Sequence, residues 1–411
     1  MKCINCKNNQ FISLFSLKNI SITGKFYDKD KKLAKSNLNL VMCKKCKLVQ
    51  LKNRFDLKYL FNQDYGYSSN LNKSMARHLN KVVESSLKYA FLDKKDIVLD
   101  IASNDGTLLN FYPSKLKLIK IGIDPILNKF KKNYKQIDHV ASTFFSSKEY
   151  FKLTKRKAKI ITGLSVFYDS PNPNKFLKDI RLVLDENGIF ILEQSDLALM
   201  LNNMSIDTIC HEHIAYYSIK VMNSMMLKNK LKIFRHEYNN INGGSSRFYI
   251  THINNKKYKI LKDFKTKLAN EKKFLLERKN TFNNFYNQVE INKNKLLELL
   301  KKLKLRNKII HGFGASTKGN TILQHFQIDS TYLDFIAEIN PDKYNKFTPG
   351  TNIKIISEKK SLNMKPDYYL VLPWHFKENI LNRFKKNKTF KGVFLFPFPK
   401  VSSIDMKKYY D

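Results

Sequence analysis

Two Cys-x-x-Cys turns, Cys3 with Cys6 and Cys43 with Cys46, constrain the folding of this chain more tightly than any other feature. Each turn presents two thiolates to one side, and two such turns complete a tetrahedral four-sulfur shell for zinc. The loop between them, residues 7–42, is longer than in the common zinc ribbons, but loop length costs little once its ends are clamped. Four thiolates leave no open position, so the predicted metal is structural. The chain holds 5 Cys, and four of them at short spacing suit a reducing compartment with a metal better than a disulfide framework. No apolar run follows the charge in Met1-Lys2-Cys3, as a signal peptide would require. Nor does any stretch approach the ~18 consecutive apolar residues of a membrane span. A cytoplasmic protein that does not contact a membrane is expected.

Beyond the cysteines the pattern alternates between strands and helices. Leu71, Met75, Leu79 and Val83 recur at helical spacing. A short apolar strand then ends at Asp100, a turn runs from Ile101 to Gly106, and a helix begins near Thr107. Strands are predicted at Leu118 to Ile123, Ile160 to Leu164, Gly188 to Glu193 and Arg247 to His252, with Asn174 to Leu184 helical. Ile260 to Leu305 is charged, free of Gly and Pro, and reads as a helical connector. A second α/β series follows: strands at Lys308 to His311, Leu333 to Ala337, Tyr368 to Leu372 and Gly392 to Phe396, with a helix over Asn320 to Phe326. Such alternation predicts parallel, doubly wound sheets. The fold class is therefore α/β, a doubly wound sheet flanked by a small zinc module and a second Rossmann-like unit. A length of 411 residues, 43% of them hydrophobic, suits two or three cores. The boundaries fall at 1–62 for the zinc module, 63–257 for the cofactor domain, 258–306 for the connector and 307–411 for the last domain.

The turn Asp100-Ile101-Ala102-Ser103-Asn104-Asp105-Gly106 joins a strand to a helix start, a ready cradle for an anion or dipole. It has fewer glycines than a dinucleotide fingerprint, and no Lys follows to hold a triphosphate. S-adenosylmethionine needs less room, having only an amino-acid end and an adenosine. Asp100 can hold the methionine ammonium, while Ala102 and Gly106 let the backbone approach and Asn104 completes the cofactor set. Asp124, which ends the next strand, can accept from both ribose hydroxyls.

Asp207-Thr208-Ile209-Cys210-His211-Glu212-His213 is the densest cluster of acid–base residues. An imidazole is the natural base for taking a proton from carbon beside a carbonyl, and a neighbouring carboxylate can orient it. A buried network or a metal site shared by His211 and His213 are the other readings of this cluster. Asn242-Gly243-Gly244-Ser245 is a tight turn entering a strand, or a binding loop. Gly312 to Gly319 offers backbone NH groups, Ser316 and Lys318 at a helix start, which suits a phosphate or diphosphate as well as it suits a plain turn. Trp374 is assigned to the core.

With these residues assembled, the chain resembles the C-methyltransferases that act on nucleotide-linked deoxysugars. The resemblance spans essentially the full length. It rests on the paired Cys turns, Asp64-Tyr65-Gly66-Tyr67 with Ser69, Cys210 to Ser218, Gly243-Gly244-Ser245, Gly312 to Thr321, Asn340-Pro341, Thr348-Pro349-Gly350 and Leu372-Pro373-Trp374-His375-Phe376. It implies that the first doubly wound sheet is of the class I methyltransferase type, and it implies a structural zinc and a keto sugar on a nucleoside diphosphate lying between the two α/β domains. It also implies His213 as the base that forms an enolate, with Glu212, His211 and a tyrosine, Tyr67 first, around the reacting carbon. Tyr65, Asp169, Cys210, Ser316 and Lys318 would line the substrate. Two positions depart from the family pattern: Cys210 stands where a Tyr is usual, and Asp169 where a His is usual. Both face the substrate in the family, so the departures bear on which sugar, and which carbon, is methylated.

The charge balance, 75 Lys plus Arg against 35 Asp plus Glu, also motivates a nucleic-acid methyltransferase with a zinc module. Against it, Tyr168-Asp169-Ser170-Pro171 lacks the Asn/Asp-Pro-Pro-aromatic pattern of base amino methylation, and Cys210 follows Ile209 rather than Pro. The positive residues are spread along the whole chain, as a compositional bias would spread them. A non-enzymatic zinc-and-Rossmann adaptor is the third reading. A monomer acting on a nucleotide-linked sugar, with no nucleic-acid partner, is the expectation.

Overall fold

The computed structural model describes residues 1–28, 33–61, 65 and 67–410. Asp64 and Gly66 of the tyrosine-bearing segment, and the expected boundary at 62, lie outside them. Three sheets organise the described residues.

The first is 4-stranded and antiparallel, formed by Phe11–Ser21, Lys35–Cys43 and Val49–Leu51, with a last short strand, Ala215–Tyr216, arriving from far along the chain. Leu38, Leu40 and Met42 are buried at a strand period of two. Our reading of the sequence left residues 11–42 without strands. The pattern there is broken by register shifts between Ser13 and Phe15 and between Leu17 and Ile20, which hide the alternation in the first strand.

The second sheet is 7-stranded, in the order Leu231–Asn239, Ser245–His252, Leu184–Ser195, Ala158–Leu164, Ile97–Ile101, Ile119–Ile123, His139–Ala141. From Leu184–Ser195 to His139–Ala141 the pairs are parallel, and Ser245–His252 runs antiparallel to both its neighbours. Val98, Ile160, Ile189 and Ile191 face the helix Lys73–Tyr89, while Leu99, Ile161, Phe190 and Leu192 face Leu177, Ile180 and Val183 of the helix Pro173–Val183. Apolar cover on both faces is what a near-continuous apolar strand requires.

The third sheet is 6-stranded, in the order Ile355–Ser357, Ile336–Glu338, Ile310–Phe313, Tyr368–Val371, Val393–Phe396, Ser402–Asp405, and only the last strand is antiparallel. The chain order reverses between Ile310–Phe313 and Tyr368–Val371, so a crevice opens beyond their carboxyl ends. The strand predicted to stop at His311 runs on to Phe313, because Gly312 and Phe313 pair with both neighbours.

Two helices, Lys262–Asn270 and Lys279–Leu305, connect the second sheet to the third. The longer one buries Phe282, Phe285, Val289, Leu296 and Leu300, and its Phe285 and Tyr286 pack on Phe15 of the first sheet. All three sheets thus share contact surfaces.

Candidate active site

Asp100 and Asp124 end adjacent parallel strands of the second sheet, at Ile97–Ile101 and just after Ile119–Ile123. Both are buried. Asp100 accepts from the Thr162 hydroxyl at 2.6 Å, and Asp124 accepts from the backbone NH of Asn104 at 2.8 Å and of Ile126 at 2.7 Å. Burial pushes the Asp100 carboxyl up to about 7, against the Thr162 bond, and the Asp124 carboxyl up to about 6, against its two backbone bonds. Between them the backbone enters the left-handed region at Ala102, Asn104 and Gly106, with φ of 57°, 51° and 74°. The φ of Ala102 is unusual for a residue with a Cβ, and strain of this kind persists where the surroundings over-determine it. Here the NH of Ala102 is tied to the Ile123 carbonyl at 2.8 Å.

Asn104 and Asp105 fasten this turn to the tyrosine-bearing segment. The Asn104 side chain accepts from the NH of Ser69 at 3.0 Å and donates to the carbonyl of Tyr67 at 3.2 Å. Asp105 accepts from the Ser68 hydroxyl at 2.7 Å and the Asn70 NH at 2.8 Å. Our sequence reading missed Asp105, Thr162 and Ser68; Asp105 at least sat inside the turn already singled out.

The segment 207–213 leads to Ile214, whose NH donates to the Tyr168 carbonyl just beyond the carboxyl end of the strand Ala158–Leu164. His213 donates from Nδ1 to the Thr208 carbonyl at 2.7 Å, which puts the ring proton on Nδ1 and leaves Nε2 with a free lone pair. The Tyr168 ring lies 4.1 Å from the imidazole, centroid to centroid. Burial, assisted by the nearby Lys318 ammonium, brings the His213 pKa down to about 3, so the ring is neutral at physiological pH. Glu212 is buried, and its Oε2 accepts from the Thr23 hydroxyl at 3.4 Å. Its Oε1 has no hydrogen-bond partner among the described residues, and neither does Asp169 Oδ1 nor the Tyr216 hydroxyl. Burial, reinforced by the Glu212 charge, holds the Asp169 carboxyl well above the usual carboxylate range. Unpaired polar atoms in the interior are costly, and these three lie on neighbouring residues.

The Tyr65 ring lies within the electrostatic reach of Glu212 and Asp169, and the Tyr67 ring within that of Tyr168 and Asp105, while the Tyr67 carbonyl accepts from Asn104 of the Asp100–Gly106 turn. Gly24, from the first sheet's outgoing loop, lies so close to Glu212 that a Cβ there would run into its carboxylate. Neither Gly24 nor Thr23 carried any local signal. Cys210 is fully buried, and burial next to Glu212 pushes its thiol well above the ordinary range, the opposite of what an attacking thiolate needs. His211 turns away from His213: its Nε2 meets the Ser36 hydroxyl at 3.1 Å, and Phe55 packs edge-on against the ring at 4.6 Å. The structure thus brings His213, Glu212, Asp169, Cys210 and Tyr65 together and sets His211 in the wall behind them.

From the third sheet, the turn after Ile310–Phe313 reaches this cluster. The Ser316 hydroxyl caps the helix Thr317–Phe326 by accepting from the Gly319 NH at 2.9 Å. Lys318 donates to the Thr208 hydroxyl at 2.9 Å and to the Asn242 carbonyl at 2.6 Å. The Ala315 NH is taken by the Glu338 carboxylate at 2.9 Å. Trp374 is buried, as assigned, and its indole NH also reaches Asp207 at 3.0 Å.

The four cysteines of the paired turns converge. Their sulfurs all lie within 4.8 Å of one another, with Cys3 to Cys46 and Cys6 to Cys43 each at 3.5 Å. Tetrahedral zinc with Zn–S bonds of ~2.3 Å needs sulfurs ~3.8 Å apart, which this cluster meets with small adjustments.

A family model described as a methyltransferase domain matches residues 75–235, and one described as a C-methyltransferase C-terminal domain matches residues 240–399. The chain is an S-adenosylmethionine-dependent methyltransferase. A curated relative, the C-methyltransferase NovU of Streptomyces niveus, is 24% identical to it over 364 residues, 88% of this methyltransferase and 86% of the relative. Among solved structures, the cyclopropane synthase MmaA2 from Mycobacterium tuberculosis is 10% identical, with 44% of this chain and 86% of that chain covered at a TM-score of 0.36. An S-adenosylmethionine-dependent methyltransferase from Clostridium acetobutylicum is 14% identical, covering 43% and 92% at a TM-score of 0.34. Likeness at that level is too slight to inform the fold of the methyltransferase, which stands on its own strand order. Among the described residues no helix is long and apolar enough to cross a membrane.

Proposed function

We propose that this methyltransferase methylates a carbon of a keto sugar carried on a nucleoside diphosphate, and that His213 removes the proton from the carbon beside the ketone. The observation that carries the reading is the unprotonated Nε2 of His213, its tautomer set by the Thr208 carbonyl and its ring packed on Tyr168, the residue before Asp169. The similarity to a C-methyltransferase over 88% of the chain supports carbon as the acceptor.

S-adenosylmethionine supplies the electrophilic methyl group. Asp100 would hold its ammonium, Asp124 its ribose, and the backbone at Ala102, Asn104 and Gly106 would lie against it. Asp169, whose protonated form is favoured by burial, would in that form donate a hydrogen bond to the ketone oxygen as negative charge develops there, which is where such a donor contributes most. Glu212, Tyr65 and Tyr67 would orient the sugar, and Cys210 adds a small neutral surface beside it. Ser316, at the turn after Ile310–Phe313, would meet the outer part of the substrate. Close alignment of the two carbons across the cleft does the rest. A structural zinc in the Cys3, Cys6, Cys43 and Cys46 cluster, a monomeric state and a cytoplasmic location complete the proposal, with domains divided at 62, 257 and 306.

The test combines purified protein, labelled S-adenosylmethionine and a panel of nucleotide-linked 4-keto sugars. One sugar should gain label at carbon, and in D₂O its acidic carbon should exchange with the wild type but not with His213→Ala. Cofactor binding without label on any sugar would reject the substrate class, and undiminished turnover by His213→Ala would reject the base.

A further inference from the structure

The helix Thr317–Phe326 opens the third sheet's α/β series, yet it packs against the segment 207–213 of the second sheet's unit. Lys318 binds the Thr208 hydroxyl and the Asn242 carbonyl. Thr321 donates to the Ile209 carbonyl at 3.4 Å, and Asn320 donates to the Thr23 carbonyl at 2.7 Å, just behind the hydroxyl that Glu212 accepts from. Gln324 closes the row by exchanging hydrogen bonds with the backbone of Ser21, accepting from its NH at 2.7 Å. One helix therefore touches residues 208, 209, 21 and 23, which between them hold the base and its neighbouring carboxylate. Beside it, the Trp374 indole fixes Asp207, the residue preceding Thr208. The turn of Asn242 is itself tied down: the Gly243 carbonyl accepts from the Asn203 side-chain NH at 2.8 Å and from the Ser205 hydroxyl at 3.3 Å.

We propose that Lys318 is a positioning residue for the reaction, holding Thr208 so that its carbonyl fixes the His213 ring with Nε2 bare, and that the C-terminal α/β unit thereby switches the base on from across the domain interface. The inference rests on His213 being the base. Lys318 has three N–H groups, and two point at protein oxygens on opposite sides of the cleft wall, Thr208 and Asn242. It works as a tie between two loops. A Met in its place would keep the length and lose both bonds. Thr208 would then keep only its backbone bond to the Ser205 carbonyl, its own carbonyl would hold Nδ1 less firmly, and the ring would sample the tautomer in which Nε2 carries the proton and cannot accept one.

The groups around the imidazole also set the direction of any change with pH. Lys318 is the cation facing it, the Thr208 carbonyl and the Tyr168 ring are its direct contacts, and Asp207 and Cys210 lie beside Lys318. Removing the ammonium removes a like charge from the imidazolium, so the acidic form becomes easier to reach.

The experiment uses full-length protein with ¹⁵N-labelled histidine. In the wild type, long-range ¹H–¹⁵N spectra should show His213, assigned by its loss in His213→Asn, as a pure Nδ1–H tautomer that stays neutral down to pH 5. In Lys318→Met the Nε2–H form should appear and the ring should begin to titrate at higher pH. This measurement needs no substrate, so it stands apart from the methyl-transfer assay. With the keto sugar that gains label in that assay, kcat should fall on the order of 10²-fold while KM moves by less than about threefold, as for a misplaced catalytic group. Should Lys318→Met fail to fold, Trp374→Phe deletes the bond to Asp207 and carries the same spectroscopic expectation. An unchanged His213 spectrum, or a raised KM with kcat intact, would make Lys318 a substrate ligand or a structural residue and overturn the inference.

Discussion

The carboxyls of Asp100 and Asp124 are held near 7 and near 6 by burial, well above an ordinary aspartate. Because the folded pKa values are raised, the folded apoprotein binds more protons than the unfolded chain between about pH 4 and pH 7. These two groups therefore favour the folded state less and less as pH rises through that window. A bound ligand carrying an ammonium and a sulfonium reverses the sense, since it prefers both carboxylates ionised. Calorimetric titration should accordingly find S-adenosylmethionine binding tightening from pH 5 to pH 8, with protons released on binding. Asp100→Asn should flatten that dependence and weaken binding by about tenfold or more, the value of a hydrogen bond to a charged group. Binding in Asp100→Asn that matches the wild type at every pH would remove Asp100 from the cofactor site. At this scale the sequence was informative about identity and poor on geometry. The strand-turn-helix pattern singled out Asp100 and Asp124 because regular backbone has a period. No period describes the irregular run from Ile209 to Ile214, so nothing local could say that His211 would face Ser36 while its neighbour two residues on would face Thr208.

Among the elements, the strand Ala215–Tyr216 ties the cysteine module to the chemistry. Val49 pairs with Tyr216 and Gln50 with Ala215, and the Leu51 NH donates to the Ile214 carbonyl at 3.0 Å. The turn Cys43 to Cys46 directly precedes Val49–Leu51, so whatever clamps the four sulfurs also clamps the edge on which residues 214–216 are hung. One zinc per chain should be found by elemental analysis. Its removal with a chelator, or Cys46→Ser, should raise hydrogen exchange at Leu51 and Tyr216 well before the second sheet loses protection. Loss of all protection at once would mean that the clamp serves global stability instead. The long-range partner of this sheet had no signature in the sequence, because a two-residue strand is shorter than any hydrophobic period. The doubly wound sheets were legible for the opposite reason: their strands are apolar runs separated by amphipathic helices, and both faces are covered.

Over the whole molecule, a formal charge of +40 makes weak attraction to any polyanion unavoidable. Such binding should be of the counterion-release kind, falling by orders of magnitude between about 50 and 200 mM salt and indifferent to base sequence. Gel shifts with RNA and duplex DNA across that range test this. A sequence-dependent complex that survives about 200 mM salt would favour the nucleic-acid reading over the sugar. Two half-buried lysines contrast with the rest: Lys318 donates to the Asn242 carbonyl and Lys343 to the Ala315 carbonyl.

The late arrival of Ala215–Tyr216 in the first sheet has an effect before the enzyme ever meets a substrate. On the ribosome, residues 1–51 emerge early but their sheet lacks its final edge until residue 216 has left the tunnel, by which time most of the second sheet has also been made. The first part of the chain is thus committed to waiting for the middle, a pairing of high sequence separation of the sort that slows folding and leaves an open edge in the meantime. The same wiring means that a fragment ending before residue 215 cannot stand in for the native amino-terminal module.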